Sequence, residues 1–266
     1  MAKSQIIQVA DDFWNIRGSF KIGYVADIGT HISLIRLQSG KFVFLDSYTL
    51  SPKVKQEIDK LTNGGKDIEG ILNLHPFNTI HVTKMHEMFP DARLYGTARH
   101  CSKFPDLPWD PLHTEDTALH EKFAEDLDFS VPQGVDFISS NDNIHFSSVL
   151  VMHPASKTIH VDDTFMYVQP PILKKWIELP AALSFHPTLV PALQRRAGAA
   201  NEFRQWAKAL AHKWQDAENL CAAHTGSLLH KHNKGAPISV RMMKALRNVR
   251  WVLAAHEKWY ANVHIL

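Results

Sequence analysis

Apolar and polar residues alternate from Phe20 to Asp27 and again from His31 to Leu37, with Gly29 at the turn between them. A third run, KFVFLD (41–46), follows the Ser39-Gly40 turn. Period-two runs punctuated by glycine predict an antiparallel meander. The pattern then changes. Ser51-Pro52 opens a helix, with serine as cap and proline at the first helical position. Val54, Ile58 and Leu61 fall on one face, and Asn63-Gly64-Gly65 ends it. Residues 68–74 (IEGILNL) read as a buried strand, 83–88 as a short helix stopped by Pro90, and 92–96 as another strand, giving the order βββ-α-β-α-β. Residues 101–142, with FPDLPWDP, read mostly as loop. Residues 144–152 and 158–161 read as a hairpin. After Pro170-Pro171 the chain turns helical. Phe203, Trp206, Leu210 and Trp214 mark a helix within 193–214, 220–223 is a short apolar run before His224, and 240–260 forms one long amphipathic helix. No repeat, linker or charge block interrupts the chain, so residues 1–266 are expected to form a single α/β domain.

Composition narrows the function classes. Of 266 residues, 45% are hydrophobic and 21% charged, which excludes a disordered or low-complexity chain. Lys plus Arg number 29 against 27 Asp plus Glu, a net charge of +2. That gives no basic footprint for nucleic acid. Cys101 and Cys221 lie far apart with no CxxC, which fits a reducing compartment. The N-terminal MAKSQIIQVADDFW lacks the apolar core of a secretory signal, and no run approaches the ~18 apolar residues of a membrane helix. A cytoplasmic protein with no membrane partner is expected. The unusual figure is 17 histidines.

Their placement suggests chemistry. Four apolar strands end in a histidine or aspartate: KFVFLD at Asp46, IEGILNLH at His75, KTIHVDD at Asp162-Asp163, and NLCAAH at His224. In open α/β sheets, functional groups gather beyond the carboxyl ends of strands. Counting from a hairpin centre near Ala155, His145 and Asp163 differ by about two residues in register, roughly 7 Å, so His145 is expected at the same edge. Burying such a cluster is costly unless something compensates it. A divalent metal does so, and imidazole with carboxylate suits zinc, iron or manganese. His100, His153, His160 and His186 are further candidates. His160, three residues before Asp163, is expected to face the other side of its strand. Cys221 reads as a buried core residue. No GxSxG elbow, phosphate loop or Rossmann fingerprint is present.

Taken in order, these residues resemble the metallo-β-lactamase fold superfamily. In that family an early strand ends in Asp, matched by Asp46. A later strand enters a His-x-His-x-Asp-His loop, matched by LHPFNTIHV (74–82). A further histidine precedes a hairpin (His145), the hairpin ends in a metal-bridging Asp (Asp163), and a last histidine closes a late strand (His224). The agreement spans roughly residues 20–226. FPDARLYG and HPASKTIHVDD are similar to a branch of the superfamily whose loop is degenerate. The resemblance implies a four-layer αβ/βα sandwich and a metal-dependent hydrolase of a small ester, lactone, thioester or phosphodiester, with metal-bound water as nucleophile. It implies His75, His81, His145, Asp163 and His224 as ligands of one or two ions, Asp163 also as a catalytic group, and Asp46 and Asp162 as supports behind them.

The loop departs from the family pattern. Phe77 stands in place of the second histidine, Thr79 in place of the Asp, and Ile80 in place of the last histidine, which His81 fills only with a one-residue insertion. A phenyl ring cannot bind metal, so one ion or an altered pair is expected. Two alternatives stay open: a non-catalytic member that binds a ligand or partner, and an iron-dependent oxidoreductase on the same fold.

Overall fold

The computed structural model describes residues 5–22, 26–168, 182–224, 226–233 and 235–263. In chain order the elements are β1 (Gln5–Ala10), β2 (Phe13–Gly18), β3 (Lys21–Ile22), β4 (Ala26–Asp27), β5 (Thr30–Arg36), β6 (Phe42–Leu45), α1 (Pro52–Leu61), β7 (Ile68–Leu72), α2 (Val82–Met88), β8 (Arg93–Tyr95), α3 (Ala98–Lys103) and α4 (Thr117–Lys122). Then come β9 (Asp128–Ser130), β10 (Leu150–His153), β11 (Thr158–Val161), β12 (Phe165–Val168), β13 (Ala182–Phe185), α5 (Leu189–Ala192), α6 (Ala199–Lys213), β14 (Asn219–Ala222), β15 (Ser227–Leu228), α7 (Ile238–Asn248) and α8 (Arg250–Tyr260).

Two sheets carry the architecture. The first has the order β1-β2-β5-β6-β7-β8, antiparallel up to β6 and parallel from β6 to β8. The second has the order β15-β14-β11-β10-β9, with β11 and β14 parallel. Three apolar clusters fix the layering. Leu45, Leu72 and Tyr95 from the first sheet meet Val149, Val151 and Cys221 from the second. On the outer face of the first sheet, Phe44 and Ile71 pack against Val54, Ile58 and Met85 of α1 and α2. On the outer face of the second, Ile159 and Leu220 pack against Phe203, Trp206, Leu246 and Leu253 of α6, α7 and α8. The result is a four-layer αβ/βα sandwich, as expected. No described helix is long and apolar enough to cross a membrane.

Several expected elements differ. The Gln5–Gly18 hairpin precedes the anticipated meander, and among the described residues of 20–27 the alternation yields the two-residue strands β3 and β4. Residues 101–142 hold the end of α3, all of α4, and β9. The first hairpin strand is confined to Leu150–His153, because Val149 N–H leaves the ladder and donates to Leu74 O of the opposite sheet, at 3.0 Å. Residues 182–185 form a strand where helix was expected, and 169–181 lie outside the described residues. The helix expected within 193–214 starts only at Ala199, after Gly198 at φ 81°. The long final helix is two, broken at Val249, whose φ and ψ of −94° and 4° leave the helical basin.

Candidate metal centre

Register brings the strand ends together. Val161 pairs with Ala222 across β11 and β14, so Asp162 and Asp163 leave the sheet beside Ala223 and His224. Leu45 pairs with Leu72 across β6 and β7, which sets Asp46 next to the segment leading to His75. Asp46 holds φ 66°, a left-handed conformation tolerated by Asp and Asn. There its Oδ1 accepts the Leu74 N–H at 2.8 Å, and its Oδ2 accepts from His160 Nε2 at 3.0 Å. The bond between Val149 and Leu74 joins the two sheets at this edge.

Four of the anticipated groups converge. His75 Nε2 lies 3.2 Å from Asp163 Oδ2, and His224 Nε2 lies 3.0 Å from Asp163 Oδ1. Yet His75 Nε2 and Asp163 Oδ1 are buried without hydrogen-bond geometry to any partner. One ligand atom each from Asp162, Asp163 and His224 lies within 4.8 Å of the others. Two carboxylates and an imidazole crowded around one point fit a divalent cation. His224 is already oriented for it. Its Nδ1–H donates to Gly29 O at 2.8 Å, leaving Nε2 to face the carboxylates. His75 differs: its Nδ1 lies 3.2 Å from the Phe77 backbone nitrogen while its Nε2 faces Asp163. It fits as a proton donor to that carboxylate better than as a ligand.

Electrostatics follow from this packing. Burial opposes charge on both imidazoles, but contact with Asp163, reinforced by Asp162, raises His75 and His224 to about 9. Burial works against Asp163 too, yet the two histidines hold it far below the usual carboxylate range. Burial and the adjacent Asp163 charge push Asp162 up to about 7, although His75 draws it back. Asn78 Nδ2 donates to Asp162 Oδ2.

His145 comes close to the cluster, its ring centroid 6.1 Å from that of His75, and neither it nor His81 is among the three crowded donors. His145 sits in the loop before β10, not on the strand as anticipated. Its Nε2 donates to Asp142 O and its ring stacks on Phe77 at 4.8 Å. His81 caps α2, with Nδ1 bonded to Thr49 Oγ1 at 2.9 Å. Both line the wall of a cavity of about 440 Å³ instead. Asp163 and His224 form its polar floor, and Phe20, Ile28, Ile80 and Met166 its apolar sides. His186 lines it too, its basicity lowered by burial. Of the remaining candidates, His100 in the first turn of α3 is buried and held down at about 4 by that burial, and His153 bonds Ser156 at the far hairpin end. Cys221 is buried, its thiol pushed up to about 12.

Other contributors carried no sequence signal. Arg17 donates to the carbonyls of Ala222 and Ala223, the latter at 2.9 Å, fixing the strand end before His224. His31 stacks on His160, ring centroids 4.3 Å apart and nearly parallel, and Asn15 bonds His31 at 2.9 Å. Only Asn78, two residues before the expected loop ends, was close to a residue already singled out.

No protein-family model matches the sequence, and no curated protein does. Solved structures do. A metallo-β-lactamase from Erythrobacter litoralis superposes with a TM-score of 0.60 at 10% identity, over 92% of this chain and 96% of that one. One from Pontibacter korlensis gives 0.54 at 10% identity, over 92% and 100%. FIM-1 from Pseudomonas aeruginosa, solved in a mono-zinc form, gives 0.56 at 9% identity, over 92% and 96%. This chain has the metallo-β-lactamase fold. On that fold, the loop after β7 turns two positions to other uses. The Phe77 ring lies between His145 and the Arg99 guanidinium, the latter 4.4 Å from its centroid. Thr79 Oγ1 accepts from Lys103 Nζ at 2.7 Å.

Proposed function

We propose that this protein is a hydrolase that works with one divalent cation, held by Asp162, Asp163 and His224. The observation that carries the reading is the crowding of these three donors, of which Asp163 and His224 line the cavity, with His224 Nδ1 already committed to Gly29 O. Bound there, a divalent cation supplies Lewis-acid polarisation and lowers the pKa of a coordinated water toward ~7. Zinc and iron both suit one imidazole and two carboxylates, with manganese a further fit. A mono-zinc form of FIM-1, a protein of the same fold, lends support to a single-ion site.

The chain's own groups divide the work. Asn78 holds Asp162 by donating to its Oδ2, and Asp46 fixes the backbone at Leu74. As imidazolium, favoured by the Asp163 carboxylate 3.2 Å from its Nε2, His75 can give a proton to a leaving group, become neutral imidazole, and take a proton back from water. Apolar walls around a polar floor select a small ester, lactone or thioester with an apolar body; no lysine or arginine stands among the described lining residues to recognise a dianionic phosphate. A reducing, cytoplasmic setting fits two unpaired cysteines.

A second reading is favoured by one observation. The Asp163 carboxylate already has an imidazole on each side. If both stay protonated, the cluster is balanced without metal and the cavity is a binding site. Elemental mass spectrometry on protein prepared without chelator separates the two. About one equivalent of metal, lost in His224→Ala and Asp163→Asn, together with chelator-sensitive cleavage of aryl esters or lactones, supports the hydrolase. No metal after reconstitution refutes it and leaves the binding protein. Bound iron with visible absorbance and no hydrolysis would favour an oxidoreductase.

A further inference from the structure

The last two helices carry a surface that the fold does not cover. On α8, residues 251, 255 and 259 repeat every four positions and share one face. Trp251 is 71% exposed and Trp259 81% exposed, with exposed Val252 beside them. The opposite face is the one that packs. Leu253 and His256 are buried, and Glu257 is tied to Arg204 of α6 at 2.9 Å. Two exposed indoles on one helix are unusual for a surface that meets only water.

Charge accompanies the indoles. Residues 238–260 hold five Lys or Arg against the single Glu257, whereas the rest of the chain holds 24 against 26 Asp or Glu. The protein's positive charge is therefore concentrated on this helical pair. Lys244, Arg247, Arg250 and Lys258 are exposed, and the Arg250 guanidinium lies 5.0 Å from the Trp251 ring. Charge and indole are presented together.

We infer that the α7–α8 face docks on an anionic lipid surface, with α8 lying in the interfacial plane and Trp251 and Trp259 seated at headgroup depth. Indole rings partition to that level because one side is apolar and the N–H remains hydrated. Basic side chains beside them meet the negative potential of anionic headgroups. The charge also argues against a second copy as occupant, because a twofold contact would press this basic face against itself. No spanning helix is needed, so the absence of one among the described residues is compatible with peripheral docking. Docking here leaves the metal centre untouched, and the inference does not depend on what that site does.

The test is co-sedimentation with phosphatidylcholine vesicles, with and without phosphatidylserine, read alongside tryptophan fluorescence. Binding should require the anionic lipid, weaken with salt and shift the emission to the blue. The Trp251→Ala/Trp259→Ala variant should lose on the order of tenfold in partitioning. Lys244→Gln and Arg247→Gln should each cost roughly fivefold. Because both indoles are exposed, the unfolding midpoint of the tryptophan variant should stay unchanged, separating lost docking from lost folding. Absence of binding at low salt, equal binding to both vesicles, or unchanged binding by the tryptophan variant would overturn the inference. So would a dimer in sedimentation velocity that the tryptophan variant dissolves, since the face would then be a contact between copies.

Discussion

Asp46 offers a prediction that depends on hydrogen-bond chemistry alone. The residue is 2% exposed and sits at φ 66°. Its carboxylate can only accept, so the 3.0 Å contact requires His160 to carry its proton on Nε2. His160 Nδ1 then accepts from Ser33 Oγ at 2.9 Å. Asp46→Ala removes both acceptors. The Leu74 and His160 N–H groups stay buried and unpaired, about 1–3 kcal/mol each, and an alanine in the left-handed region adds about 1 kcal/mol. The expected loss is about 3–7 kcal/mol. Asp46→Asn should behave differently. Asparagine tolerates the positive φ and keeps an oxygen for Leu74. Its amide faces His160 Nε2, which can accept once the ring proton moves to Nδ1 and bonds Ser33. That variant should lose no more than about 1 kcal/mol. Urea unfolding with a shared slope measures both. Metal content, read on the same samples, should fall with Asp46→Ala, since Leu74 N–H sets the backbone entering the site. Equal losses for the two variants, or a neutral Asp46→Ala, would refute the assignment of these protons and of the residue's role.

Other outcomes follow from the same contacts. Burial holds His100 at about 4, below its unfolded value of 6.5, so the unfolded chain takes up the proton first and stability falls as pH drops from 6.5 toward 4. His100→Gln keeps a side-chain acceptor at the third position of the α3 cap, and should remove about 3 kcal/mol of that acid sensitivity in unfolding curves compared with the parent. Arg17→Met leaves the carbonyls of Ala222 and Ala223 without their donor; a loss of about 2–3 kcal/mol and weaker metal retention on dialysis are expected. Phe77→His/Thr79→Asp supplies the two loop donors that the family pattern calls for. Metal content should nevertheless stay near one equivalent until Lys103→Met is added, because the Lys103 ammonium reaches Thr79 Oγ1 and would pair with the new carboxylate.

The sequence made the strand ends legible because each depends on a local signal: an apolar run, then a polar residue where the sheet stops. Parallel register of β6 with β7 and of β11 with β14 turns those separate ends into one edge. Elements whose pattern is set by distant partners stayed hidden. In β2, Asn15 is fully buried and Arg17 points inward, so polar residues occupy core positions and erase the alternation; their partners, His31 and the Ala222 and Ala223 carbonyls, lie far along the chain. His160, expected on the far side of its strand from Asp163, points between the sheets to Asp46 and His31 rather than into apolar core. His145 lies in a loop rather than on the strand for a similar reason, while still lining the cavity with Asp163. Hairpin counting assumes an unbroken ladder, and the ladder stops where Val149 N–H crosses to Leu74 O. The break at Val249 leaves the apolar stripe continuous in sequence, so only packing of α7 and α8 as separate cylinders reveals it.

The two altered loop positions bear on whether the site is purposeful or merely decayed. A decayed ligand position would leave a side chain with nothing to do. Phe77 is clamped between His145 and Arg99, and Arg99 Nη2 in turn pairs with Asp142 at 3.0 Å, the residue whose carbonyl accepts from His145. Guanidinium, phenyl and imidazole thus form one stack that fixes the cavity wall. Thr79 likewise holds Lys103. Both replacements bring a cationic side chain to the place where the family loop would hold a metal, and like charge there opposes a second cation. On the other side of the cavity, Asp162, Asp163 and His224 keep two carboxylates and an oriented imidazole together, at the cost of burying them. A chain under no demand to bind a cation would shed that buried acidic pair more easily than it would assemble a stack around Phe77. The arrangement is therefore the one that the proposed single-ion site calls for.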